Sequence, residues 1–175
     1  MDFFAHLLWT FIFFYQPDIL LFLIMELFGV LPDLVPFMPY TLHEMSNKNR
    51  HPTIEESKKV LLEAPKWVFT LYDLSHSYVI FGICFLFIYI FFEKWALILL
   101  PWALHIFFDI FTHRKPKDVF QPKFLYPISQ FSFHGYSWQN RKSLIINYTL
   151  IGIGIILRIF YIKCYFPDFN NLNFY

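Results

Sequence analysis

Trp102-Ala103-Leu104-His105-Ile106-Phe107-Phe108-Asp109-Ile110-Phe111-Thr112-His113 is an apolar stretch with three titratable residues, each four positions from the next. On a helix that spacing stacks His105 and Asp109 on one face, one turn apart. At roughly 100° per residue, His113 falls about 80° around the axis from His105. Burying imidazole and carboxylate among Leu, Ile and Phe is costly unless a metal or a partner compensates. Two readings follow. The pair is either an Asp–His hydrogen bond that knits helices together, or two metal ligands that a rigid helix holds at fixed separation.

The rest of the chain says what solvent surrounds this helix. Apolar residues make up 57% of the 175 positions, with 25 Phe, 11 Tyr and 5 Trp, and charged residues only 15%. Soluble domains carry about 25% charged residues, so the composition points to a chain solvated partly by lipid. One membrane-embedded helical domain over 1–175 is expected. The net charge of +1 is uninformative about nucleic acid, but the lack of a basic stripe interleaved with exposed aromatics argues against it as a partner. Cys84 and Cys164 lie in apolar segments without CxxC spacing and read as buried thiols. The N-terminus lacks a basic leader and a small-residue cleavage site, so no removable signal peptide is expected.

Upstream, Phe3 to Tyr15 is apolar except for His6. Gln16-Pro17-Asp18 interrupts it, and Ile19 to Leu31 resumes with Glu26 as its one charge. Pro17 favours a break, which predicts a shallow helical hairpin. Gly29-Val30-Leu31-Pro32-Asp33 reads as the helix stop, with Asp33 at the membrane edge and Leu34 to Tyr40 an irregular link. In the polar stretch 41–66, Thr53-Ile54-Glu55-Glu56 is a capping-box pattern for a short amphipathic helix ending before Pro65. Tyr78 to Phe92 is apolar, Glu93-Lys94 a polar turn, and Trp95 to Phe111 the returning helix. A second polar loop covers 113–143, and Leu144 to Tyr165 is a last apolar helix, with Arg158 and Lys163 snorkelling near its end. The expected architecture is an all-α membrane bundle of about four to five short apolar helices, with polar loops 32–76 and 113–143.

The hairpin has a consequence for chemistry. It brings His6, Asp33, His76, His105 and Asp109 to one end of the bundle, as candidate metal ligands. Lys and Arg at 48, 50, 58, 59, 66, 114, 115, 117, 123, 141 and 142 lie in the two loops at that end, against Lys94 and Lys163 at the other. The positive-inside rule then makes the loops and the site cytoplasmic. Imidazole and carboxylate without thiolate suit a borderline divalent ion, zinc above all, in one or two copies. An open coordination position supplies hydroxide near neutral pH, with His105 and Asp109 at its centre. Asp73 is a candidate acceptor orienting an imidazole. His113 and His134 are candidate ligands or substrate contacts, and Arg114 a candidate contact for an anionic head group. His43 and His51 read as solvated.

Five elements resemble, in order, a bacterial family of membrane-bound metal-dependent hydrolases related to zinc-dependent phospholipase C. They are Met1-Asp2-Phe3-Phe4-Ala5-His6, Gly29-Val30-Leu31-Pro32-Asp33, Ser75-His76-Ser77, the His105–Asp109 helix ending in Thr112, and Tyr126-Pro127-Ile128-Ser129. The resemblance covers roughly residues 1–140. It implies a bacterial plasma-membrane protein with the same five metal ligands, hydrolysing a phosphoester, in a lipid for example. Tyr72-Asp73-Leu74 stands where members often carry an Arg-Gly pair, and the later His-x-x-x-Glu helix of the secreted phospholipases is missing.

The function expected is therefore hydrolysis by a metal-activated water at the lipid interface, with the aromatic passage 124–138 shaping the entrance. Two rivals stand beside it. One is a non-catalytic membrane protein whose His and Asp residues bond between helices, each pair contributing about 0.6 to 2 kcal/mol. The other is a metal transporter or sensor, which favours ligands near the bilayer middle on broken helices.

Overall fold

The computed structural model describes residues 1–48, 63–114 and 118–165, and its regular elements are all helical. Asp2 opens the first: its carboxylate accepts from Ala5 N at 3.0 Å and caps α1 (Phe3–Phe14). After the break at Tyr15 to Asp18, α2 (Ile19–Lys48) runs back alongside α1. Tyr15 meets Phe22 with ring centroids 5.3 Å apart, and Thr10 meets Gly29, so the two helices are antiparallel and the expected hairpin is present. A Cβ at Gly29 would lie 2.2 Å from Thr10 Oγ1. Glycine is what permits this approach.

The helix stop expected at Gly29–Asp33 and the irregular link over 34–40 are both corrected by the structure. α2 continues through Pro32, Pro36 and Pro39. A proline inside a helix deprives the carbonyl four residues earlier of its donor. Pro36 does this to Pro32, and Ser75 Oγ supplies the missing bond to Pro32 O at 2.8 Å. A partner 43 residues away thus offsets part of the cost of the prolines. The loop reading of 32–76 is corrected with it, because 32–48 and α3 (Lys66–Ser75) are helical. The Thr53-Ile54-Glu55-Glu56 cap lies outside the described residues.

His76 is the residue that closes α3. Ser77 Oγ then accepts from Val79 N and Ile80 N at 3.1 and 3.3 Å and opens α4 (Tyr78–Phe92). Glu93, with φ 45°, marks the reversal. Residues Glu93–Leu99 form a 3₁₀ helix rather than the start of the returning α-helix, and α5 (Leu100–Thr112) follows. Tyr78 Oη donates to Ala103 O at 3.1 Å and Phe81 meets Trp102 at 5.6 Å, so α4 and α5 are antiparallel. α6 (Arg141–Tyr165) packs along α1, where Trp9 Nε1 donates to Asn147 Oδ1 at 3.0 Å and Arg158 bonds the Tyr15 carbonyl.

Three apolar helical stretches, 19–46, 78–112 and 141–164, are long and apolar enough to cross a membrane. The middle one is folded on itself at Glu93. Its α-helical arms of 15 and 13 residues reach only about 22 and 20 Å, short of a hydrocarbon core of about 30 Å. α4 buries none of its residues, and Ile90, Ile156 and Phe160 are 68–70% exposed. Such a surface is stable in lipid and aggregates in water.

At the end away from these turns, Tyr40, Val68, Tyr72 and Phe120 form a second core. It packs the second half of α2 against α3. The last turn of α5 is capped by a returning loop: Gly135 N, Tyr136 N and Trp138 N donate to His113 O, Phe111 O and Thr112 O at 3.0, 2.8 and 2.8 Å. Those carbonyls have no partner within the helix itself.

Candidate metal centre

Three parts of the fold deliver four ligands to a common point. Asp33 comes from mid-α2, His76 from the α3–α4 joint, and His105 and Asp109 from successive turns of α5. One ligand atom from each lies within 4.8 Å of all the others. His76 Nε2 and His105 Nε2 are 3.2 Å apart, and Asp109 Oδ2 is 3.3 and 3.4 Å from them. Asp33 Oδ1 is 3.6 and 3.8 Å from the same two nitrogens. A tetrahedron with metal–ligand bonds of about 2.0–2.1 Å has edges of about 3.3 Å. Three corners match closely, and Asp33 is the looser fourth. The residues present fit a small divalent ion.

The hydrogen bonds behind the ligands agree. His105 Nδ1 lies 2.8 Å from Gly29 O, and His76 Nδ1 3.0 Å from Tyr72 O. A carbonyl oxygen only accepts, so both Nδ1 atoms donate. In the neutral ring each Nε2 then presents a lone pair, the tautomer that metal-binding histidines adopt. Two such lone pairs facing each other in a buried pocket repel, and a cation between them, metal ion or proton, relieves the repulsion. With no ion bound, His76 takes the proton instead: burial disfavours the charged ring, yet Nε2–H bonds to the Asp109 and Asp33 carboxylates outweigh that and raise its pKa to about 9.

His6 is brought beside this group but not into it. Its Nε2 is 3.1 Å from Asp109 Oδ1, and its ring stacks on His105 at 3.6 Å. The Met1 amino nitrogen also contacts Asp109 Oδ1. Asp109 therefore turns one oxygen toward the four-residue cluster and the other toward α1. His113 donates Nδ1–H to Asp109 O at 3.1 Å, and burial pushes its pKa down to about 4. Asp73 is paired with Lys123 at 2.6 Å. The carbonyl of Tyr72, not Asp73, holds the His76 ring. His134 and the Arg114 side chain are exposed.

A cavity of about 570 Å³ reaches the cluster at Asp33, within the size range of small-molecule sites. Phe3, Leu34, Phe37, Phe120 and Trp138 are among its apolar walls, with Asp33, Tyr72, His113 and Asp118 among its polar ones. Of the aromatic passage 124–138, Trp138 alone lines it, while Ile128 and Tyr136 are 79% and 76% exposed. Tyr72, Ser75 and Asp118 are the site residues that sequence reasoning missed. Tyr72 carried a signal: it lies four residues before His76, on the same helical face.

The chain matches no protein-family model, no curated protein and no solved structure. What the site can do rests on its own geometry.

Proposed function

We propose that this chain is an integral membrane hydrolase using a divalent ion held by Asp33, His76, His105 and Asp109. The observation that carries the reading is the pair of Nε2 atoms 3.2 Å apart, with both Nδ1 atoms already donating to carbonyls. Zinc suits the imidazole and carboxylate donors and the tetrahedral spacing. Such an ion supplies Lewis acidity and a water whose pKa falls toward ~7.

The chain's own residues supply the rest. Gly29 O and Tyr72 O hold the two rings in register, and His6 steadies the outer oxygen of Asp109. Asp33, the loosest of the four and part-exposed to the cavity, is where a substrate approaches. The apolar walls favour an amphiphile, and the ordered motifs favour a phosphoester, so a membrane phospholipid is the substrate class proposed. A purely structural cluster needs no cavity reaching one of its ligands, and a transport site calls for a path across the bilayer.

Purified protein is expected to hold about one zinc per chain and to hydrolyse a phospholipid or a phosphomonoester from a screened panel. Chelation is expected to abolish the activity, and zinc to restore it. A content of two ions brings in His6 Nε2 and Asp109 Oδ1 as further ligands. No bound metal after reconstitution with excess ion returns the cluster to a structural role.

We also propose that the site faces the cytoplasm, from the excess of Lys and Arg at its end of the bundle. A Glu93→Cys variant is then labelled by an impermeant maleimide in intact cells. Labelling that needs permeabilised cells reverses the orientation.

A further inference from the structure

The cavity poses an electrostatic problem. Asp2, Asp33, Glu44 and Asp118 line it, and among the described residues no Lys or Arg does. A hydrolase develops negative charge on the carbonyl or phosphoryl oxygen of its substrate, and these walls repel that charge. A neutral donor beside the ligand cluster would add to the Lewis acidity of the ion without burying a further charge.

Tyr72 is placed to be that donor. Its residue is 2% exposed, its ring stacks on His76 with centroids 3.8 Å apart, and it lines the cavity together with Asp33. Its hydroxyl is buried and has no hydrogen-bond partner among the described residues. Buried phenols normally find one. The ring is fixed by Phe37, at 6.1 Å, and Phe120, at 5.0 Å, as well as by His76, so the hydroxyl is held in place rather than free to swing away. His76 Nδ1 already donates to Tyr72 O, which ties the same residue to a metal ligand from its backbone side.

We propose that Tyr72 Oη is the hydrogen-bond donor that holds the carbonyl or phosphoryl oxygen of the substrate at this site, the role a cationic side chain fills elsewhere. The assignment rests on the metal-hydrolase reading above. It makes Tyr72 a catalytic residue by contact with substrate. A phenol keeps its proton at neutral pH, so the donor is available without a charge having to be buried.

Tyr72→Phe tests this, because the stacking ring survives and only the hydroxyl is lost. The probe is hexylphosphonate, an apolar chain bearing oxyanions, titrated into full-length cobalt-substituted protein in detergent and followed by the cobalt absorption spectrum. The variant is expected to hold the same amount of cobalt and to melt at the same or a higher temperature. Its affinity for hexylphosphonate is expected to fall about 10-fold or more, as for loss of a hydrogen bond to a charged group. A merely structural hydroxyl would move the melting temperature and leave the affinity alone. Unchanged affinity with intact cobalt overturns the role of Tyr72 and leaves the metal site standing. Failure of the wild type to take up cobalt overturns the metal reading and the Tyr72 assignment together.

Discussion

The Asp109→Ala protein is expected to insert into the membrane at the wild-type level and to emerge from purification without metal. Insertion follows the apolar stretches 19–46, 78–112 and 141–164, whose hydropathy the change does not lower. Metal retention is different, because Asp109 is the residue on which the cluster converges. Its Oδ2 stands 3.3 and 3.4 Å from the two ligand nitrogens, and its Oδ1 stands 3.1 Å from His6. Alanine leaves Asp33, at 3.6 and 3.8 Å, as the sole carboxylate of the group. Outer partners of metal ligands typically contribute 10–100-fold in affinity, so loss of a ligand itself is expected to exceed about 100-fold. Elemental analysis per mole of chain, alongside quantification of the membrane fraction, checks both halves. Wild-type metal content in the variant would remove Asp109 from the site.

Gly135→Ala is expected to lower the thermal midpoint in detergent by roughly 5–10 °C. A Cβ at this position falls 2.2 Å from Phe111 O, 2.5 Å from Phe111 C and 3.0 Å from His113 O. These are backbone atoms at the end of α5 and cannot rotate aside. The loop has to lift, which strains or breaks the bonds that Gly135, Tyr136 and Trp138 make to the last carbonyls of that helix. Overpacking costs about 1–3 kcal/mol and each lost hydrogen bond about 1 kcal/mol. At a few degrees per kcal/mol for a chain of this size, those losses give the stated shift. Gly82→Ala is the control, since nothing lies within 4 Å of its added methyl. Equal midpoints for the two variants would mean that the loop is not seated on α5. Trp138 also lines the cavity, so the same displacement is expected to weaken hexylphosphonate binding.

Much of the architecture is a matter of composition and period. A chain with 25 Phe and 15% charged residues forms helices apolar enough to cross a membrane whatever its detailed fold. The break at Gln16-Pro17-Asp18 and the Glu93-Lys94 turn are legible because proline and adjacent charges interrupt otherwise apolar helices. His105 and Asp109 share a face because a helix repeats every 3.6 residues. Asp2 is legible as a cap, and Ser77 has the residue type of one.

What could not be read locally has one cause: its determinant lies far along the chain. Three prolines in 32–39 look like a helix stop until Ser75 meets the carbonyl that Pro36 leaves unpaired. His105 is any apolar-face histidine until Gly29 O, 76 residues away, accepts a hydrogen bond from its Nδ1–H and turns Nε2 toward the cluster. The place of His6 is not legible until the packing of α1 against α5 sets its Nε2 on the outer oxygen of Asp109. Tyr72 looks like an ordinary core aromatic until the second half of α2 and Phe120 enclose a cavity beside it. The apolar helices and the spacing of ligands within a helix follow from residue type and helical period, and so are local properties of the chain. Which nitrogen faces the cluster, which carboxylate oxygen is shared and which hydroxyl lacks a partner among the described residues are set by packing between helices. Hydrogen bonds are short and directional, and their partners here come from different helices.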